Sequence, residues 1–327
     1  MVSSAASLPV ELLLQIIEEL IPSKTAIFAP NHPVTRTLHS LTLIKLTYPL
    51  AKRLLLTHCV HLNSLKRLHR FNTSISQHNA EQRAHIHSVH LRPFHHRNEV
   101  TYTAATQIDT LISLLGRNLR RLVLEMPFQG FKPEIDVSNA LSFLPNLEEF
   151  CSIRDDFPLY TAITGNRYTR ETWTTWPRLK RLALYRVDIN EAFVAALNRV
   201  PSLTHLVLTQ PGGLDAPLPR DVAETLSWKA LQRVLIISGR RGEFWKRSPD
   251  NPVLLRYWYA NSFLARLVDT YGSLRDGSVV ERQLLHLSVM AGGHAEVDVD
   301  PALAVYRDHA LNGTLWDCQG QVYRPQT

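Results

Sequence analysis

Side chains that could do chemistry fall into three sets: histidines, cysteines and regularly placed arginines. The densest is HNAEQRAHIHSVHLRPFHH, with histidines at 78, 85, 87, 90, 95 and 96. His85 and His87 would share one face of a strand, which could suit a metal ion. No Asp, Cys or further His at a fixed short spacing completes a closed site, so a polar strand edge and loop is expected and no metal is assigned. The three cysteines, Cys59, Cys151 and Cys318, lie far apart. That argues against a disulfide framework or a cysteine-based zinc site and fits a reducing cytosol or nucleus. Cys151 has no base paired with it in the sequence. GRRGEFW at 239–245 lacks the lysine and the strand-to-helix context of a phosphate loop. No G-x-G-x-x-G, G-x-S-x-G or H-E-x-x-H occurs. The expectation is a non-catalytic chain without cofactors.

The third group is a set of regularly placed arginines. An apolar-x-x-apolar-x-apolar template recurs as IHSVHL from Ile86, LRRLVL from Leu119 and LEEFCS from Leu147. It continues as LKRLAL from Leu179, LTHLVL from Leu203, LQRVLI from Leu231 and LLHLSV from Leu284. The starts are 33, 28, 32, 24, 28 and 53 residues apart. If the template leucines point into a core, the residues between them point to the other face of each strand. One outward column then reads Ser88, Arg121, Glu149, Arg181, His205, Arg233 and His286. The next holds His90, Val123, Cys151, Ala183, Val207, Leu235 and Ser288. A third holds Arg92, Glu125, Ile153, Tyr185, Thr209, Ile237 and Met290. A basic stripe beside an apolar one suits an extended, acidic or phosphorylated protein segment. Arg121, Arg181, His205 and Arg233 would meet its charge, and Tyr185 and Leu235 its apolar side chains. The alternative is that a loop or the C-terminal tail covers the apolar stripe.

The elements that must hold these columns are strands alternating with helices. ATQIDTLISLLGRN, DVSNALSFLP, NEAFVAALNRVP and DVAETLSW read as the helices between them. A strand–helix step near 28 residues is the pattern of an α/β leucine-rich-repeat solenoid, with a parallel concave sheet and all helices on the convex side. Val89, Leu122, Leu182, Leu206, Val234 and Leu287 would form one buried column. The usual Asn or Cys after the last template leucine is replaced by Pro127, Val187 and Pro211, so that ladder is missing. A chance leucine-rich α/β protein is the competing reading. DPALAVYRDHALNG predicts a helix from Pro301 to Leu311, and TLWDCQGQVY a terminal strand or hairpin capping the solenoid.

The N-terminus poses a different question. In SLPVELLLQIIEEL, apolar residues cover an arc of roughly 200° of a helix, about twice what one core-facing stripe needs. Pro9 and Glu11 are starting signals, with Leu8 in the cap position. The following IPSKTAIFAPNHPVTRT reads as a loop. LHSLTLIKLTYPLAKRLLLTH reads as helix divided by Pro49. A short strand near 60–62 and a helix from Ser64 to Ser76 come next.

Leu8, Pro9, Glu11, Leu12 and Ile16, followed by LHSLTLIKLTYPLAKRLLLTHCVHL, resemble the F-box at the head of many fungal proteins. The resemblance covers roughly 7–62. It implies that residues 1–57 are a helical F-box binding a Skp-family adaptor, and through it a cullin ubiquitin ligase. The remainder, 58–327, would be the substrate-recognition region. It also explains the wide apolar arc. Leu13, Ile16, Ile17 and Leu20 would pack inside the box, while Leu8 and the flank with Leu12 face the adaptor.

Composition is compatible with this. The 327 residues are 45% hydrophobic and 20% charged, with a net charge of +7. No apolar run is long enough for a membrane span, the N-terminus lacks the basic start and separate apolar core of a signal peptide, and no zinc-finger, basic-zipper or aromatic-basic motif supports specific nucleic-acid binding, so neither membrane nor nucleic acid is expected as a partner. A cytoplasmic or nuclear substrate adaptor of a ubiquitin ligase is therefore expected. The rivals are an F-box and repeat scaffold without ligase function, and an enzyme hidden in an irregular α/β fold.

Overall fold

A computed structural model describes residues 9–21, 26–94, 102–126, 137–154, 160–162, 169–214, 216–219, 222, 230–238, 262–272, 283–288 and 301–322. Helix α1 (Val10–Glu19) starts at a proline. Pro9 takes the cap position (φ −51°, ψ 141°), and its carbonyl accepts from the Leu13 N–H at 3.1 Å. Leu8, expected at the cap, lies outside the described residues. Helix α2 (Pro33–Leu41) begins inside the stretch expected to be a loop. Pro33 is its first residue, and His32 Nδ1 accepts from the Val34 N–H at 3.3 Å. Helix α3 (Tyr48–His58) carries Pro49 in its first turn, so that proline starts a helix instead of dividing one. Ile17, Leu38 and Leu54 form a small core shared by the three helices.

The chain then runs β1 (His61–Leu62), α4 (Leu65–Ser76), α5 (Ala80–Ala84), β2 (Ser88–Leu91), α6 (Tyr102–Leu115), β3 (Arg121–Leu124), α7 (Val137–Ser142) and β4 (Glu149–Ser152). Next come β5 (Tyr160–Ala162), β6 (Thr169–Glu171), β7 (Arg181–Tyr185), α8 (Glu191–Leu197), β8 (His205–Thr209) and β9 (Arg233–Ser238). Helix α9 (Phe263–Gly272), β10 (Gln283–Ser288), α10 (Pro301–Asn312) and β11 (Gln321–Val322) follow. Helix α4 obeys its sequence signals closely, since Ser64 caps it by accepting from the Arg67 N–H at 3.3 Å. The helix expected in DVAETLSW lies largely outside the described residues.

Nine strands form one sheet in the order β1-β2-β3-β4-β7-β8-β9-β10-β11. Neighbours are parallel throughout except for β10 and β11, which are antiparallel. Strands β5 and β6 form a separate antiparallel pair. One hydrogen-bond step recurs across the sheet. The carbonyl just before a strand accepts two N–H groups from the next unit. Arg120 O takes Glu148 and Glu149, Glu148 O takes Lys180 and Arg181, and Lys180 O takes Thr204 and His205. Just after β7 and β8, Arg186 (φ 52°) and Gln210 (φ 49°) both adopt the left-handed region, so the chain leaves successive strands by the same strained turn.

The register matches the expected columns up to β9 and departs at β10. Val89, Leu122, Leu182, Leu206 and Val234 are all fully buried. Val234 is opposite Leu284, and Leu287 is opposite Ile237. The template position in LLHLSV is therefore filled by Leu284, three residues before Leu287. An odd slip exchanges faces, so Leu287 belongs with the opposite side of the sheet and His286 does not continue the arginine column.

Both faces of the sheet are covered. Helices α4, α6, α7, α8 and α9 contribute to the core that buries Leu122, Phe150, Leu182, Leu206 and Val234. On the other face, Val123, Cys151, Ala183, Val207 and Leu235 pack against Ala302, Tyr306, Ala310, Leu315 and Trp316. The expectation of helices on one side only is thus corrected: α10 and the 3-10 turn Leu315–Asp317 occupy the face opposite α4, α6, α7, α8 and α9. Strand β11 pairs antiparallel with β10 at the edge of the sheet.

Candidate functional site

The N-terminal three helices leave apolar side chains in water. Val10 is 40% exposed, Leu12 48% and Ile16 53%. In the link between α2 and α3, Leu43 is 87% exposed and Ile44 and Leu46 are also exposed, as is Tyr48 at the start of α3. Pro9 and Glu11 are exposed too. Ile17 is the residue of α1 that is fully buried, with Leu13, Leu14 and Leu20 packed partly against the small core. Ile16 thus does not pack inside as expected; it points out with Leu12, one turn away. Arg53 and Glu18 tie α3 to α1 with a 2.5 Å ion pair.

The six residues expected to bind a substrate sit on one sheet face, as their spacing implied, and the chain's own C-terminal segment lies over them. Leu235, Tyr185 and Arg121 are buried. Leu235 and Tyr185 belong to the core built with Tyr306 and Trp316. Arg121 donates to the Ala310 carbonyl, and Arg233 to the Cys318 carbonyl. Arg181 forms a 2.6 Å ion pair with Glu149 Oε1 and stacks 5.8 Å from the Trp316 ring. His205 meets the same ring edge-on at 6.3 Å. Burial, with the charges of Arg181 and Arg233, pushes His205 down to about 4, so it is neutral at pH 7. An open face is therefore corrected to an occupied one. Arg181, His205 and Arg233 keep partial exposure at its rim.

The other end of the strands holds a second polar cluster. Glu125 is fully buried just after β3. His90 Nε2 lies 3.4 Å from its Oε2, while Arg92 Nε lies 3.3 Å from its Oε1. Arg307 of α10 donates to that same Oε1. Burial pushes the Glu125 carboxyl up, but His90, Arg307 and Arg92 together hold it below its ordinary value. His90 is lowered by burial, and His61, stacked edge-on at 4.3 Å, is lowered to about 3 by burial and by His90. The column holding Arg92 and Glu125 was legible in the sequence; the partner Arg307, more than 180 residues away, had no local signal.

The remaining reactive groups do not converge on a reaction. His85 follows helix α5 as its C-cap and His87 precedes β2, so neither lies on a strand and their expected shared face is corrected; His95 and His96 lie outside the described residues. Among the described residues no group of three His, Cys, Asp or Glu is placed to hold a metal ion. Burial pushes the Cys151 thiol up to about 12 and also raises Cys59 and Cys318, the opposite of an activated nucleophile. Among the described residues no helix is long and apolar enough to cross a membrane. Comparison with known proteins adds no relative: no protein-family model matches the chain, and no curated protein sequence matches it.

Proposed function

We propose that the chain is a non-catalytic substrate-recognition subunit of a Skp-cullin-F-box ubiquitin ligase. In this reading residues 1–57 are an F-box and 58–327 an irregular leucine-rich-repeat solenoid with a C-terminal cap. The observation that carries it is the outward apolar flank of α1. Leu12 and Ile16 stand about half exposed on a helix whose opposite side already fills the core of its own three-helix unit. Leu43, Ile44 and Leu46 add to the exposed apolar surface of that unit. Large apolar side chains grouped in this way fit contact with a protein partner, and the resemblance of the segment names a Skp-family adaptor.

The test is co-purification with a purified Skp-family adaptor and cullin. Wild-type chain should retain the adaptor, and Leu12→Asp with Ile16→Asp should lose it while the remainder of the chain stays folded. Retention of the adaptor by the double variant would sink the assignment. Ubiquitin transfer to a co-purifying protein then separates a ligase subunit from a scaffold.

A further inference from the structure

The cluster around Glu125 has more positive charge than its one carboxylate can answer. Arg92 and Arg307 converge on a single oxygen, Glu125 Oε1. Among the described residues Glu125 is the only ion-pair partner of either guanidinium. The other carboxylate oxygen faces His90, which is buried and held neutral. Two like charges meeting on one atom repel each other. The cluster is not sealed: the Arg92 and Arg307 side chains are 28% and 27% exposed, whereas Glu125 behind them is not exposed at all. The arginines therefore form an outward-facing layer over a buried carboxylate. Arg92 and Glu125 directly follow β2 and β3, at the carboxyl edge of a parallel sheet, which is where open α/β sheets commonly bind ligands, and Arg307 reaches them from α10.

We propose that Arg92 and Arg307 bind a phosphorylated serine or threonine of a protein segment. Planar guanidinium forks match phosphate oxygens in pairs, and a dianion offsets the surplus charge better than a single carboxylate would. Glu125 positions the two forks from behind. This deepens the substrate-recognition reading and rests on it for the identity of the ligand as a protein. It moves the contact from the covered sheet face to the strand ends.

The experiment uses the full chain and fluorescence anisotropy in 0.15 M salt. The probes are a labelled degenerate peptide pool centred on phosphoserine, the same pool with serine, and inorganic phosphate as competitor. The phosphoserine pool should bind at least about tenfold more tightly than the serine pool, and inorganic phosphate should compete. Arg92→Gln should weaken phosphopeptide binding by about tenfold or more, with an unchanged melting profile, while Arg36→Gln on exposed α2 changes nothing. Equal binding of the two pools, no binding, binding of inorganic phosphate alone, or equal effects of the two substitutions would each overturn the proposal. No adaptor enters this assay, so failure here leaves the adaptor reading standing, and failure of adaptor binding leaves this site standing.

Discussion

Trp316 donates its indole N–H to Glu149 Oε2 at 3.0 Å, joining residues 167 positions apart. Glu149 also receives Arg181 on Oε1 and Arg121 on Oε2. The indole thus lies over a charged row of the sheet and completes its hydrogen bonding, while its rings join Tyr306 and Leu315 over the apolar columns. Tyr306 makes the matching contact further along, donating to the Ser152 carbonyl at 2.8 Å. The C-terminal segment is consequently part of the folded core.

Trp316→Ala should destabilise the chain by about 3–5 kcal/mol, the range for truncating a buried aromatic. Trp316→Phe keeps much of the ring packing but leaves Glu149 short of one donor, at a cost of about 1–3 kcal/mol. Chemical denaturation of the two variants checks the order; equal stability of wild type and Trp316→Ala would refute the covered face.

Acid should unfold the protein well before its carboxylates titrate. His61 and His205 are held at about 3 and about 4, and His58 and His90 are also lowered, all mainly by burial. In the unfolded chain each titrates near about 6.5. Below that pH the unfolded state binds more protons, so stability falls as pH drops from about 6.5 toward the folded values, by up to about 1.4 kcal/mol per unit for each histidine. Glu125, lowered in the fold, adds a further loss only at still lower pH. Denaturant midpoints measured from about pH 7.5 down to 4.5 should show this slope, and His61→Asn should make it shallower.

What could be read in advance follows from how local each signal is. The cap of α4, the breadth of the α1 apolar arc and the columns from Val89 to Val234 depend on neighbours within a few residues, and all were legible. The slip at β10 arose because LLHL offers two leucine frames, and only pairing with β9 chooses between them. The covered face had a signal that the repeat template masks. LRRLVL, LTHLVL and LQRVLI are apolar at consecutive positions, not only alternate ones, which is the mark of parallel strands buried on both sides. Arg307 and Trp316 were beyond reach because their partners are set by the docking of α10 alone.

Substitutions on α1 should divide by face. Ile17 is 3% exposed and packs with Leu38 and Leu54, so Ile17→Asp buries an unpaired charge and should unfold the three-helix unit. Leu12→Asp, on the exposed flank, should change stability by only about 0.5 kcal/mol. Circular dichroism with thermal melting distinguishes them; a large loss of helix in Leu12→Asp would mean that this flank serves the fold.

Removing the chain beyond residue 300 tests the role of the C-terminal segment most directly. It strips the cover from Val123, Cys151, Ala183, Val207 and Leu235. It also takes away the carbonyls of Ala310 and Cys318 that receive Arg121 and Arg233, the Trp316 N–H from Glu149, and the Arg307 partner of Glu125. The helix-side core, from Leu122 to Val234, does not depend on α10 and should persist. The truncated chain should therefore retain helix signal yet expose a continuous apolar face rimmed by charges. It should bind a hydrophobic dye and self-associate in a concentration-dependent way. Cys151, buried in the full chain, should become open to thiol reagents as its cover is lost. The Leu235→Asp change within the truncated chain should reduce both dye binding and association, because it breaks the exposed stripe, whereas in the full chain the same change should be strongly destabilising. A truncated chain that stays monomeric, excludes the dye and protects Cys151 would show that the sheet face does not need its C-terminal cover.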